Sequence, residues 1–256
     1  MKSNASYRNM FDVLLAIFFV SWMFFEVMIL GNKFDILRYS GLSGKLIVII
    51  GRLVPTVVVY MFMVVWQDVK DAVEFSHRAI YTPFKVRTII FLLVFIAGHI
   101  YVLHLAGESM GRSSAFWVMA LPYAFLNAGF AEVAWSGFIF PCIWNRISFI
   151  PACMITGFLY TFYSLPLWRV EGVRQELGEF SHYMIYCCYA SLVLGCVYRL
   201  TESIIACVIV RVLIQAGLYY FEDMIFGSPK VNLVLFLELV ILLVIALIFG
   251  KKKDTL

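Results

Sequence analysis

The stretch "NAGFAEVAWSGFIFP", residues 127–141, sets a carboxylate, Glu132, inside a run apolar enough to cross a membrane. Ionisable groups there cost several kcal/mol and turn toward protein or a water-filled space instead of lipid. The surrounding run extends over 115–143, and seven similar runs lie near 11–30, 46–66, 88–107, 147–168, 181–198, 203–221 and 231–250. Each approaches the length of about 20 residues that a helix needs to cross the hydrocarbon core. Composition agrees, with 63% hydrophobic and 14% charged residues and a mean hydropathy of +0.91. The expected fold is an all-α, polytopic membrane helix bundle of about eight transmembrane helices, a single integral-membrane domain over 1–256. The fourth run is long enough to bend or break.

The connections set the expected topology. The opening "MKSNASYRNM" leads into an apolar run longer than a signal-peptide core and without a small-residue cleavage pattern, so it reads as a retained first span. With eight spans and the N-terminus inside, Lys2, Arg8, Lys70, Arg78, Lys85, Arg87, Arg146, Arg199 and Lys251 to Lys253 share the cytoplasmic side. Fewer basic residues, Lys33, Arg38, Lys45, Arg112, Arg169, Arg174 and Lys230, fall opposite. The bias places both termini in the cytoplasm, with the chain multi-pass in the cell membrane. The ending "GKKKDTL" stops the last span and offers no prenylation box.

Between the spans, 67–87 and 169–182 are the longest polar connections. In the first, Val69, Val73 and Phe75 alternate loosely with charge; a solvated loop is expected there ahead of an interfacial helix. A net charge of +4 suits anionic inner-leaflet lipid and makes no case for nucleic acid. All six cysteines (Cys142, Cys153, Cys187, Cys188, Cys196 and Cys207) fall in runs and lack zinc-ligand spacing. His99 and His104, five apart, share no helix face, so neither a metal nor another cofactor is expected.

Three of the later runs repeat one arrangement. Glu132 and Ser136, Tyr160 and Ser164, and Arg211 and Gln215 are each four apart, which puts each pair on one helix face. Convergence of these faces gives a buried polar pocket of Glu132, Ser136, Ser164, Arg211 and Gln215. Glu132 and Arg211 are expected to face each other, because an isolated charge is costly at that depth. In the front half, Glu26 and Arg52 lie at similar depth in the first two runs; they either pair across the hairpin or each snorkel to the interface.

From about 115 to 221 the chain resembles the CPBP family of intramembrane proteins, which includes CAAX prenyl endopeptidases and bacteriocin-processing and immunity proteins. The family's first motif, E-E-x-x-x-R-G, aligns with "AEVAWSG" (131–137), with Ala131 at the first Glu, Glu132 at the second and Ser136 at the Arg. Its F-x-x-x-H motif aligns with "YTFYSLPLW" (160–168), where Tyr160 and Ser164 replace Phe and His. Its H-x-x-x-N motif aligns within 194–215, where Gly195, Thr201, Ser203 and Ile204 keep the approach and Arg211 and Gln215 replace His and Asn. Residues 1–110 match no motif, and 231–250 is a last span beyond the core.

The resemblance implies a water-activating carboxylate and an oxyanion-binding pair in active relatives. Ala131 cannot take a proton, Ser164 is too weakly basic and Arg211 stays protonated. The expectation is therefore no catalysis: a pseudoenzyme acting as scaffold or regulator of a membrane partner. The family implies Gram-positive partners such as a sensor histidine kinase or a membrane-anchored cell-wall enzyme, or a role in bacteriocin immunity. The alternative is an atypical CAAX-type intramembrane protease using Glu132; a small-molecule transporter built on Glu26, Arg52, Glu132 and Arg211 is more distant.

Overall fold

Polar connections and apolar runs become loops and helices in the computed structural model, which describes residues 10–80, 86–110, 116–173, 179–220 and 229–250. The long elements are α1 (Met10–Lys33), α2 (Leu42–Val65), α3 (Ala72–Ile80) and α4 (Val86–Met110). A broken helix follows, made of α5 (Phe116–Ala124), a π-helical turn (Phe125–Gly129), α6 (Glu132–Ala134), a second π-helical turn (Trp135–Ile139) and α7 (Phe140–Trp144). Then come α8 (Phe149–Tyr163), a 3-10 turn (Leu165–Arg169), α9 (Phe180–Thr201), α10 (Ile204–Tyr220) and α11 (Pro229–Phe249). No strand occurs among the described residues.

The fold is all-helical, and the chain is a multi-pass membrane protein. Among the described residues five helices are long and apolar enough to cross a bilayer: Met10–Lys33, Leu42–Val65, Phe149–Arg169, Phe180–Thr201 and Asn232–Phe249. A sixth span is the pair Ala120–Gly129 and Glu132–Trp144, bent by 44°. Thr88–Val102 and Ile204–Gly217 are shorter apolar helices. Every expected run thus corresponds to a helix, and among the described residues five or six have the length and hydropathy of a full span. The seventh run begins where the chain turns sharply, with Glu202 left-handed at φ 54°. Ser203 then caps α10, its hydroxyl accepting the Ala206 N–H at 3.3 Å.

The loop expected over 67–87 is corrected in part, since Ala72–Ile80 is helical. Its start is locally encoded. The Asp71 carboxylate accepts the Glu74 N–H at 2.7 Å, while the Glu74 carboxylate reaches back to the Lys70 N–H at 2.8 Å, a capping-box type of exchange. Lys2, Arg8, Lys85, Arg112, Arg174 and Lys251 to Lys253, which contribute to the expected orientation, lie outside the described residues.

Packing places α10 centrally, against α5, the first π turn, α6, α4 and α9. The α8–α9 hairpin meets it through α9, the α1–α2 hairpin packs on the broken span and on α8, and α11 packs on α9 and α4. The α8–α9 approach depends on Gly157: a Cβ there would lie 2.7 Å from the Cys188 Cα, in the facing backbone. No rotamer change relieves that. Gly157→Val is expected to force the hairpin apart and lower stability by about 1–3 kcal/mol, the usual cost of overpacking. Thermal unfolding in detergent measures it.

Two further polar links tie the bundle. Pro55 inside α2 has no N–H to offer the Gly51 carbonyl one turn back, and the Tyr163 hydroxyl of α8 donates to that carbonyl at 2.9 Å instead. His99 of α4, 1% exposed and stacked on Phe95, lies 3.6 Å from the Glu238 carboxylate of α11. His104, on the same helix, is exposed. A double-mutant cycle with His99→Gln and Glu238→Gln is expected to give a coupling of about 1 kcal/mol, the scale of polar links between membrane helices.

Candidate active site

Where the fourth span breaks, α2 donates side-chain hydrogen bonds to two of its carbonyls. The Thr56 hydroxyl donates to the Phe130 carbonyl at 2.7 Å, and the Arg52 guanidinium to the Asn127 carbonyl at 3.3 Å. Buried non-helical backbone at membrane depth is tolerated only where protein satisfies it in this way. The break has a positional result. Glu132 opens α6 between the two π turns, and such turns commonly occur at functional positions.

Glu132 is 3% exposed. One carboxylate oxygen accepts a hydrogen bond from the Ser136 hydroxyl, one turn on. The other lies 3.8 Å from Nε of Arg211 on α10, an ion-pair separation between groups 3% and 4% exposed. Nε and Nη2 of Arg211 have no hydrogen-bond partner among the described residues. Two rings hold the guanidinium: Tyr160 of α8, with its centroid 4.5 Å from Cζ, and Tyr186 of α9, at 5.8 Å. Trp135 and Tyr163 extend this aromatic wall, with centroids 5.2 and 5.7 Å from the Tyr160 ring.

Of the residues expected in the pocket, Glu132, Ser136 and Arg211 meet directly. Tyr160 contributes its ring. Gln215, one turn beyond Arg211, accepts the Tyr186 hydroxyl at 3.3 Å through its side-chain carbonyl. Ser164 is more distant in the network: its hydroxyl donates to the Tyr160 carbonyl and accepts the Tyr183 hydroxyl, both at 3.2 Å. Ala131 is buried and offers only a methyl group. In the front half Glu26 meets Arg169, which reaches in from the 3-10 turn and lies 3.3 Å from its carboxylate. Among the described residues no group of three or more His, Cys, Asp or Glu side chains could hold a metal ion.

Sequence reading missed Tyr183 and Tyr186, as well as Thr56 and Asn127, and singled out Arg52 without its link to the broken span. The tyrosines carried one usable signal, a spacing of three that sets both hydroxyls on the same face of α9. Chemically, the assembled groups are one carboxylate able to accept a proton and a fixed guanidinium beside it with N–H groups to spare.

Residues 113–217 match the family of type II CAAX prenyl endopeptidase Rce1-like proteins. The match covers the three aligned motifs and bears out the resemblance to the CPBP family. No curated protein matches the chain. The expectation that the chain is a pseudoenzyme is corrected by this finding, because the matched family is a protease family. That expectation rested on the joint replacement of the family's first Glu, both motif histidines and the Asn. The Glu132 carboxylate and the Arg211 guanidinium form one charged unit, and a replaced residue type need not remove the charge that its position supplies.

Proposed function

We propose that the protein is a membrane-embedded endopeptidase of the CAAX prenyl protease type, with Glu132 as general base and Arg211 and Gln215 as oxyanion donors. The observation that carries this reading is the Glu132 carboxylate held 3.8 Å from an arginine whose Nε and Nη2 have no hydrogen-bond partner among the described residues. Water gives a proton to Glu132 as its oxygen bonds to the peptide carbonyl carbon. The resulting oxyanion takes hydrogen bonds from the guanidinium and the Gln215 amide. Collapse breaks the C–N bond, and the proton held by Glu132 passes to the leaving amine. A carboxylic acid and an amine result, and Glu132 is an ionised carboxylate again.

One carboxylate does the proton transfer here, since Ala131 has none to add. The substrate is a peptide whose end carries a prenyl group, presented from the bilayer against the aromatic wall of Trp135, Tyr160 and Tyr163. The distribution of basic residues supports cytoplasmic termini and residence in the cell membrane.

Purified protein in lipid nanodiscs, mixed with farnesylated C-a-a-X peptides and with unprenylated controls, tests the reading. Release of the terminal fragment from the prenylated peptides alone is expected. Intact peptides in every reaction would overturn it.

A further inference from the structure

We infer that Tyr186 is the positioning residue of this site, one side chain on α9 that aligns both donors presented by α10. The inference rests on the endopeptidase reading above. Arg211 and Gln215 are one turn apart on α10, and both side chains have several rotatable bonds. A donor contributes to stabilising a developing charge only when its direction is set beforehand. Tyr186 acts on each by a different part of its structure. Its ring lies 5.8 Å from the Arg211 guanidinium carbon, and its hydroxyl donates to the Gln215 side-chain carbonyl at 3.3 Å.

The hydroxyl bond has a consequence for polarity. A primary amide presents either a carbonyl or an NH2 group, depending on a half-turn about its last torsion. With the carbonyl committed to Tyr186, the NH2 group is the one left for a substrate oxygen. Without the hydroxyl, the amide is free to turn its carbonyl toward the oxyanion, where it repels it. Tyr186 is itself 3% exposed and ringed by Tyr183, with centroids 6.0 Å apart. Its own rotamer is therefore fixed by packing, as a positioning group requires.

Tyr186→Phe separates the two parts, keeping the ring and removing the hydroxyl. With a prenylated peptide in nanodiscs, kcat is expected to fall about tenfold, with KM within about twofold and the unfolding temperature little changed, because the lost group acts on the transition state. Gln215→Met removes the amide, and adding Tyr186→Phe to it is expected to cost nothing further in kcat. Tyr186→Leu, which also removes the ring, is expected to be slower than Tyr186→Phe. Wild-type kcat in Tyr186→Phe, or a tenfold loss that persists in the Gln215→Met background, overturns the inference and leaves the endopeptidase reading standing. A wild-type protein that cleaves no peptide overturns that reading first and the role of Tyr186 with it.

Discussion

Glu132→Gln protein is expected to lose hydrolysis, with kcat/KM lower by about 10²–10⁴. The substitution is nearly isosteric. A glutamine still meets the Ser136 hydroxyl but cannot take a proton from water, so the loss isolates the base. Because the substitution also leaves Arg211 without its counter-charge, activity is compared per folded molecule, counted from the monodisperse fraction. A variant that cleaves as fast as the wild type removes Glu132 from the mechanism.

Arg211→Ala is expected to cost about 3–5 kcal/mol of stability, since removing one member of a buried pair leaves the other uncompensated. Glu132→Ala should cost a similar amount. The double substitution is expected to recover part of the loss, because no charge is then stranded. Thermal unfolding of the four proteins in one detergent gives the cycle. Additive losses would show that the two charges, 3.8 Å apart, do not depend on each other.

How far the fold and site could be read ahead of the structure varied with the range of the interactions. Helical periodicity is local, so the runs, their order and the same-face pairs Glu132–Ser136 and Arg211–Gln215 were legible. The 44° bend was anticipated only as a matter of length. Its stabilisation by Thr56 and Arg52 joins positions more than seventy residues apart, and no local pattern marks it. Tyr186 was hidden for the same reason: its significance arises where α9 meets α10. The helix at Ala72–Ile80 is a different case, since "DAVE" (71–74) carries a readable capping signal that charge alternation obscured. Glu26 meets Arg169 because the 3-10 turn after α8 folds back against α1.

Front-half residues also belong to the site's support, although they match no motif. Arg52 and Thr56 hold the carbonyls at the break, and Tyr163 ties α8 to the Gly51 carbonyl left open by Pro55. The orientation of Glu132 thus depends on α2 as well as on the matched segment.

The most direct test of an endopeptidase acting through Glu132 is cleavage of a prenylated C-a-a-X peptide in water enriched in oxygen-18, read by mass spectrometry of the newly formed carboxyl end. Wild-type protein is expected to place one heavy oxygen in that carboxylate, and Glu132→Gln protein to give no labelled product above background. Unlabelled, uncleaved peptide with the wild type, or equal labelling with both proteins, would contradict the account.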